Sequence, residues 1–172
     1  KTSYKIECVL LGSVMFIRDR FNRHFSADQS FDALNAEAAK SEPGCEGLLV
    51  LDHFQGNRTP YTDALSLGAI TGLTLKHTAA HVYRAIIEGV CLGTNLIVEN
   101  FGATFTPKRI VVAGGVTQSP LWLQIHADTI GRPLELTAVP DAPALGCAIL
   151  AAHGAGRFAS IEEGSRSMVH IA

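Results

Sequence analysis

Two adjacent glycines in the last third of the chain are the residues best placed to do chemistry. Gly114 and Gly115 follow a β-branched stretch and precede Ser119-Pro120, a pair that favours the start of a helix. Glycines let the backbone approach a ligand closely, and the free N–H groups at a helix start attract an anion such as phosphate. The same pattern is typical of a plain tight connection between a strand and a helix. Its spacing is neither that of a P-loop nor that of a dinucleotide fingerprint.

Two histidines four residues apart, His77 and His81, have the spacing of a zinc-binding HExxH helix. Thr78 stands where the glutamate would be, and the sequence offers no third ligand. We therefore expect no metal site, and we interpret both side chains as hydrogen-bonded or exposed near the start of a helix. His126, further along, is interpreted as a half-buried side chain whose hydrogen bonds are satisfied.

Two charged features could serve either structure or chemistry. Glu88 lies within a strongly apolar helical stretch, where a lone carboxylate is costly, and Arg84 one turn earlier is the expected ion-pair partner. Asn57-Arg58-Thr59-Pro60 lies in a polar loop. Its guanidinium could bind a phosphate or a sugar hydroxyl, or the segment could brace the loop against its neighbours. The spacing of the residues leaves both interpretations open.

The elements that must position these residues begin with one long helix. Apolar residues repeat at close to 3.6 residues between Thr78 and Asn100, with Thr78 as the N-cap and Gly102 in the left-handed position at the C-terminal end. Gly89 and Gly93 lie on the packing face of this helix, although glycine lowers helix propensity. Some neighbouring element is therefore expected to approach the helix closely at these two positions.

Strands alternate with helices along the rest of the chain, which predicts an α/β fold in a single domain covering residues 1–172. The segment from Asp52 to Gly68 is polar and is predicted to be a loop. The predicted strands are Ser3 to Leu11, Gly47 to Leu51, Arg109 to Ala113 and Leu134 to Leu136. The predicted helices run past Gly12 through Phe25, from about Asp28 to Ala39, from Ser119-Pro120 to Gly131, from about Ala144 to Ala152 with Asp141 as cap and Gly154 as stop, and onward from Ser160.

Composition limits the classes of partner. The 172 residues are 47% hydrophobic and 17% charged, which suffices for a sizeable core. Lys and Arg total 14 against 16 Asp and Glu, and neither sign is clustered, so we expect neither nucleic acid nor a membrane as partner. No apolar run approaches the roughly 20 residues of a membrane helix. Cys8, Cys45, Cys91 and Cys147 lie far apart without a zinc or disulfide pattern, which predicts reduced thiols and a cytoplasmic protein.

Longer motifs than the glycine pair occur in a fixed order along the chain. They are Pro43-Gly-Cys-Glu-Gly-Leu-Leu-Val50, Gly56-Asn-Arg-Thr-Pro60, Gly68-Ala-Ile-Thr-Gly-Leu73 continued by His81-Val82 and Ala85-Ile-Ile-Glu88, and Ala113 to Asp128 followed by Ala144 to Ala152. In this order they resemble the C-terminal half of an FGGY-family carbohydrate kinase. The resemblance covers about residues 43–170. Several long spaced motifs are far more specific than a single pair of glycines.

The resemblance implies an actin-like, ribonuclease H-like ATPase domain, the second of two domains around a cleft. It places Gly115 and Ser119 on the family's ATP-contacting positions, with Gly114 and Gln118 beside them. The stretch from Gly12 to Arg18-Asp19 resembles a further ATP-contacting motif, although it is one residue shorter than in the family and lacks its tryptophan. The implied cofactors are ATP and Mg.

The implied activity is transfer of the γ-phosphate of Mg-ATP to a hydroxyl of a sugar or polyol. The loop from Asn57 to Asp63 is more similar to that of kinases acting on ketopentoses and pentitols than to that of glycerol kinases. In the family, the sugar pocket and the catalytic aspartate belong to the preceding half, so this fragment alone is expected to be inactive. No catalytic residue and no metal ligand is assigned in this chain: Asp19, Asp52, Asp63 and Asp128 do not match the family's base.

Partners follow from the same resemblance. The sugar or polyol would be bound through the N-terminal domain that precedes this one in the family. A homodimer stays open as one option, because the sequence does not give the oligomeric state. The alternative function is a non-enzymatic, actin-like module that binds a nucleotide or a protein without transferring phosphate.

Overall fold

A computed structural model describes residues 11–27, 29–102 and 107–172, with the backbone alone for residues 11–16 and 102. This part of the chain holds six α-helices and four short β-strands. The helices are α1 Leu11–Phe25, α2 Phe31–Ala38, α3 Ala79–Gly102, α4 Pro120–Ile130, α5 Ala142–Gly154 and α6 Ile161–Met168. The strands are β1 Leu49–Leu51, β2 Ala69–Thr71, β3 Ile110–Val112 and β4 Leu134–Leu136. The strand predicted at Ser3 to Leu11 lies outside the described residues, apart from Leu11, which begins α1.

Helix α3 is the centre of the fold, as its apolar periodicity predicts. It packs against α1, α2, α4 and β1, and Tyr83, Ile87, Val90 and Cys91 are almost fully buried on it. The helix runs to Gly102, which is its last residue and does not lie beyond its end. Strand β1 and the residue after it cross α3 over Gly89 and Gly93, so the close approach predicted at these glycines is confirmed.

The strands form two small sheets. β3 and β4 are parallel, with Ile110 opposite Leu134, and the buried side of this pair contributes Val112 to the core. β1 and β2 are antiparallel, with Val50 opposite Ile70. β2 is missing from the sequence-based prediction because it has only three residues, all exposed, and no apolar alternation to reveal it.

Most helix ends follow local signals. Ser119, Asp141 and Ser160 cap α4, α5 and α6 as predicted, and Gly131 closes α4 in the left-handed conformation with φ 66°. Helix α2 begins at Phe31, later than predicted, because Ser30 supplies its cap. Helix α5 ends at Gly154, the predicted stop, but the left-handed residue that closes it is Gly156 with φ 76°.

The end of α5 shows why Gly156 and not Gly154 is the decisive glycine. The N–H of Gly156 donates to the carbonyl of His153, and the N–H of Arg157 donates to the carbonyl of Ala152, both at 2.9 Å. These two bonds form a Schellman motif, which satisfies the last helical carbonyls and requires a residue with positive φ. Gly154 is the last helical residue and lies two positions before the residue that takes this geometry.

Candidate functional site

The turn after β3 takes a conformation that favours glycine. Gly114 has φ 91° and ψ −169°, a region that residues with side chains rarely adopt. Its N–H donates to the carbonyl of Pro140 at 3.0 Å. Its carbonyl accepts from the N–H of Thr117 at 3.1 Å and from the Thr117 hydroxyl at 2.8 Å. A short 3₁₀ helix, Gly115–Gln118, continues from it, so the two glycines form a well-defined turn.

Ser119 ends this turn and begins α4. Its hydroxyl accepts a hydrogen bond from the N–H of Trp122 at 3.3 Å and donates to Oδ1 of Asn35 at the same distance. The same Asn35 oxygen accepts from the Tyr83 hydroxyl at 3.2 Å. Ser119 is only 4% exposed. In this structure its hydroxyl therefore fixes the helix start and joins it to α2, which the sequence did not indicate because Asn35 is distant along the chain.

The glycine side of the turn is open to a ligand. A Cβ on Gly114 would meet nothing within 4 Å, so its backbone can be approached closely. Gly115 is partly exposed, and Gln118 is exposed. Helix α1 packs against the 3₁₀ helix, and Gly12 is the second residue of α1. The structure thus brings the element that carries Gly12 to the turn that carries the other four predicted residues.

The electrostatics of this turn favour an anion. Helix α4 has 11 residues and no acidic side chain in its first turn, so its positive N-terminal end is not neutralised from within. An anion at such a position is stabilised by about 0.3–1 kcal/mol. Accessible backbone and a helix N-terminus together can hold a phosphate group.

The two histidines at the start of α3 make structural hydrogen bonds. Nδ1 of His77 accepts from the N–H of Thr74 at 2.9 Å, so its Nε2 donates to the carbonyl of Cys45 at 3.2 Å. Nδ1 of His81 lies 3.2 Å from the N–H of Thr78 and 2.8 Å from its hydroxyl. Because His81 is the third helical residue, it bonds back to the N-cap as a capping-box glutamate would. Both nitrogens of His77 are occupied, and the described residues contain no group of three metal-ligating side chains.

The ion pair predicted between Arg84 and Glu88 is confirmed. Nε of Arg84 donates to Glu88 at 2.8 Å, and both side chains are largely buried. Glu88 also accepts the N–H of Gly44 at 3.0 Å, which anchors the turn before β1 to α3. Burial raises the pKa of the Cys45 thiol to about 12, with the Glu88 charge adding to the effect. The thiol is therefore protonated near neutral pH and unreactive.

The loop after β1 is braced through Asn57. This residue is 8% exposed, and its backbone exchanges two 2.7 Å hydrogen bonds with that of Asp63. Its Oδ1 accepts from the N–H of Tyr61, so its Nδ2 donates to Nε2 of His53 at 2.7 Å. Arg58 is exposed next to it, and no carboxylate among the described residues pairs with its guanidinium. Asn57 therefore holds the loop in place, whereas the exposed guanidinium of Arg58 remains accessible to a ligand.

His126 is more deeply buried than expected, at 5% exposure. The Thr94 hydroxyl donates to the carbonyl of Val90 at 3.0 Å, so it accepts from Nε2 of His126 at 3.4 Å. Nδ1 is buried without a hydrogen-bond partner in the described part of the chain. Burial lowers the pKa of this imidazole, which holds it in the neutral form. The expectation that its hydrogen bonds are satisfied is therefore right for one nitrogen only.

A sequence profile of the FGGY family of carbohydrate kinases, C-terminal domain, matches residues 7–155. The chain belongs to this family. It is 41% identical over 136 residues to a ribulokinase of Mycolicibacterium smegmatis and 32% identical over 155 residues to a xylulose kinase of Bacillus subtilis. These alignments cover 78% and 90% of the chain.

Solved structures confirm the fold class of this FGGY domain. The crystal structure of xylulose kinase from Rhodospirillum rubrum superposes with a TM-score of 0.72 at 30% identity, over 94% of this chain. Plasmodium falciparum glycerol kinase with ADP gives a TM-score of 0.67 over 92% of this chain at 19% identity, a likeness of fold alone. The chain therefore has the α/β, actin-like fold of these kinases.

The FGGY domain is similar to one part of much longer proteins. It spans 24% of the M. smegmatis ribulokinase, 31% of the B. subtilis xylulose kinase and 32% of the R. rubrum structure. Of the helices that the structure describes, none has both the length and the apolar character needed to cross a bilayer.

Proposed function

We propose that this chain is the ATP-binding domain of a carbohydrate kinase, and that the whole kinase transfers the γ-phosphate of Mg-ATP to a hydroxyl of a ketopentose or pentitol. The observation that carries the proposal is the open turn from Gly114 to Ser119 at the N-terminus of α4. In a member of this family, an accessible glycine backbone at a helix start supplies what phosphate binding requires.

The residues present fit a nucleotide phosphate. Gly114 and Gly115 would hold it through the backbone, with Gln118 at the exposed rim and Ser119 fixing the start of α4. Gly12 would contribute through α1, which packs against this turn. ATP supplies the phosphoryl group, with Mg²⁺ to offset its charge. Because the described residues contain no group of three metal-ligating side chains, phosphate oxygens and water would supply most of the Mg²⁺ ligands.

The sugar class is proposed from the relatives. Ribulokinases and xylulose kinases are prominent among the curated proteins to which the chain is similar at 31–41% identity. The acceptor would be bound mainly through a second domain, and this domain alone would not transfer phosphate. A cytoplasmic location is proposed as well, since Cys45, Cys91 and Cys147 are all free thiols. A homodimer remains a hypothesis.

The test is calorimetric titration of this chain with ADP and ATP, alongside Gly115→Val. We expect weak binding to the parent chain and none to the variant, because a β-branched side chain fills the space next to the turn. Gly131→Val is the matched control. Gly131 is also a glycine next to α4, but it lies at the C-terminal end of that helix and has a left-handed conformation. The substitution should therefore lower stability without changing nucleotide affinity.

Two results would contradict the proposal. If the folded chain bound neither ADP nor ATP at millimolar concentration, the proposed nucleotide site would be wrong. If Gly115→Val bound the nucleotides with the same affinity as the parent chain, the glycine turn would not be part of the site. Nucleotide binding without sugar phosphorylation by any kinase containing this domain would favour the non-enzymatic, actin-like module.

A further inference from the structure

The segment around β2 is almost palindromic in sequence. On each side of Ile70 the chain carries, in the same order, a short side chain, a glycine, a leucine, a hydroxyl residue and a second leucine. The leucines are Leu65, Leu67, Leu73 and Leu75. Their exposed fractions lie between 58% and 107%, and no charged residue stands between the first and the last of them. So many exposed leucines in one short segment are typical of an interaction surface.

The backbone of β2 has a free hydrogen-bonding edge at Ile70, which lies opposite Val50 of β1. In an antiparallel pair, opposite residues alternate between exchanging two hydrogen bonds and exchanging none. The Val50 carbonyl lies against Gly89 of α3. Bonds at Val50 would also require the N–H of Leu48 to reach β2, but this N–H donates within its own turn at 3.1 Å. The bonded pairs therefore lie on either side of Val50, and the N–H and C=O of Ile70 point away from β1.

The β1–β2 sheet has one edge that can take another strand. On the β1 side, the backbone of α3 lies against the strand at Gly89. On the β2 side, the described part of the chain supplies neither a further strand nor another backbone hydrogen bond to Ile70. Ile70 is 38% exposed, and Ala69 and Thr71 beside it are exposed as well. Such an unpaired edge is a template for strand addition.

A second copy of this chain matches the edge because of the palindrome. A two-fold axis at Ile70 places Leu67 next to Leu73 of the second copy, and Ala69 next to Thr71. Contacts that are repeated in this reciprocal way are what an interface between two identical chains requires. We infer that two copies of this chain associate through antiparallel pairing of their β2 strands, with the two Ile70 residues exchanging N–H to C=O hydrogen bonds at the axis.

Charge favours the same pairing. Asp63 precedes the palindrome and Lys76 follows it. Antiparallel pairing brings opposite ends of the two segments together, so Asp63 of one copy lies near the oppositely charged Lys76 of the other. Within the palindrome no like charges meet. Because α3 covers the other edge of the sheet, association ends at two copies.

The size of the surface limits the strength of the dimer. The four leucines offer roughly 200–400 Å² of apolar surface on each copy, whereas a standard interface buries about 800 Å² on each partner. The dimer is therefore weak, with a dissociation constant on the order of 100 μM.

Sedimentation velocity of the chain, from micromolar to near-millimolar concentration, tests the interface. The parent chain should form dimers as its concentration rises. Leu67→Lys should weaken the dimer roughly tenfold, because the ammonium group loses water at the interface without gaining a partner. Leu150→Lys is the matched control, since Leu150 is 56% exposed on α5, and it should leave the dimer unchanged. Both leucines are exposed, so both variants should keep the melting temperature of the parent.

The register is tested by pairing opposite charges. Leu73→Glu alone should weaken the dimer as Leu67→Lys does. An equimolar mixture of the two variants should associate several-fold more tightly than either alone, because the new charges face each other across the axis. Hydrogen exchange gives a second readout. The amide of Ile70 should exchange several-fold more slowly as concentration rises, whereas the amide of Ala69, already bonded to β1, should not change.

Three results would overturn the inference: a monomer at every concentration, equal association of Leu67→Lys and the parent, or no gain in the mixture. A fourth is a longer kinase containing this domain that stays monomeric and melts at a lower temperature with Leu67→Lys. The rest of that kinase would then cover the β2 surface in place of a second copy.

Of the proposed function, this inference rests on the homodimer alone, and the β2 surface is separate from the Gly114 turn. ADP titrated into Leu67→Lys should therefore bind as it does to the parent chain. Absence of a dimer with ADP binding intact overturns the β2 interface alone. A dimer that binds no ADP overturns the nucleotide site alone.

Discussion

The carbonyl oxygen of Val50 occupies the position that a side chain on Gly89 would need. A Cβ built on Gly89 would lie 2.5 Å from this oxygen and 3.2 Å from the carbonyl carbon. β1 therefore rests directly on the backbone of α3. The contact explains a glycine in the middle of the longest helix, where the backbone conformation itself gives no reason for one.

Gly89→Ala should lower the free energy of unfolding by about 1–3 kcal/mol, because the backbone of β1 has to move away from α3. Better helix propensity would offset part of this, since alanine gains about 1 kcal/mol over glycine in a helix interior. Urea denaturation measures the difference.

The control for that substitution is Gly146→Ala in α5. A Cβ on Gly146 meets nothing within 4 Å, so only the gain in helix propensity remains, and this variant should be more stable by up to about 1 kcal/mol. If both alanines stabilised the domain equally, the close approach of β1 to α3 would be wrong.

Glu88→Gln should destabilise the domain by about 2 kcal/mol. The variant leaves the Arg84 guanidinium, which is 7% exposed, without its counter-charge, although glutamine can still accept hydrogen bonds from Arg84 and Gly44. Urea denaturation at constant pH gives the value. Glu37→Gln, which breaks the exposed pair with Lys40, should change stability by no more than about 0.5 kcal/mol. Equal effects would show that burial of the Arg84 pair does not matter.

His126 should make the domain less stable in mild acid. Burial holds its pKa below the ordinary value of 6.5, so under pH 6.5 the unfolded chain binds more protons than the folded one. The contribution of His126 to the free energy of unfolding is complete above pH 6.5, and it is lost as the pH falls toward the pKa of this imidazole in the folded chain. One proton limits the slope to about 1.4 kcal/mol per pH unit.

His126→Gln tests this pH dependence, because glutamine keeps a donor for Thr94 and cannot titrate. Stability measured between pH 7 and pH 5 should fall less steeply in the variant than in the parent. His24→Gln removes an exposed imidazole and should leave the slope unchanged. A parent slope that persists in His126→Gln would assign the effect to other groups.

The accuracy of the sequence-based prediction depended on how local the signals were. Ser119-Pro120 and Gly131 fix both ends of α4 within a few residues of chain, so that helix was predictable. Strand β2 was not, because its only reason to be a strand is pairing with β1, some 20 residues earlier. The partnership of Gly44 with Glu88 escaped prediction for the same reason.

The candidate functional residues also differ in how much of their environment the local sequence indicates. The glycine turn is visible in the sequence because its residues are contiguous, whereas its link to Asn35 depends on the packing of α2 against α3. The contact of Asp52 with Gly93 of α3 was not predictable either, because the two residues are about 40 positions apart and meet only in the folded chain.

The last prediction concerns phosphoryl transfer. A kinase that contains this domain should release ADP in the presence of a ketopentose or pentitol, and the 172-residue chain should not. The proposed nucleotide site is one wall of a cleft, while orientation of the acceptor and proton removal are each worth several kcal/mol of barrier and need groups outside the described residues. A coupled ADP-release assay over pentuloses, pentitols, glycerol and hexoses measures both proteins. Sugar-dependent turnover by the chain alone would place a catalytic base within these residues, with Asp52 as the first to substitute.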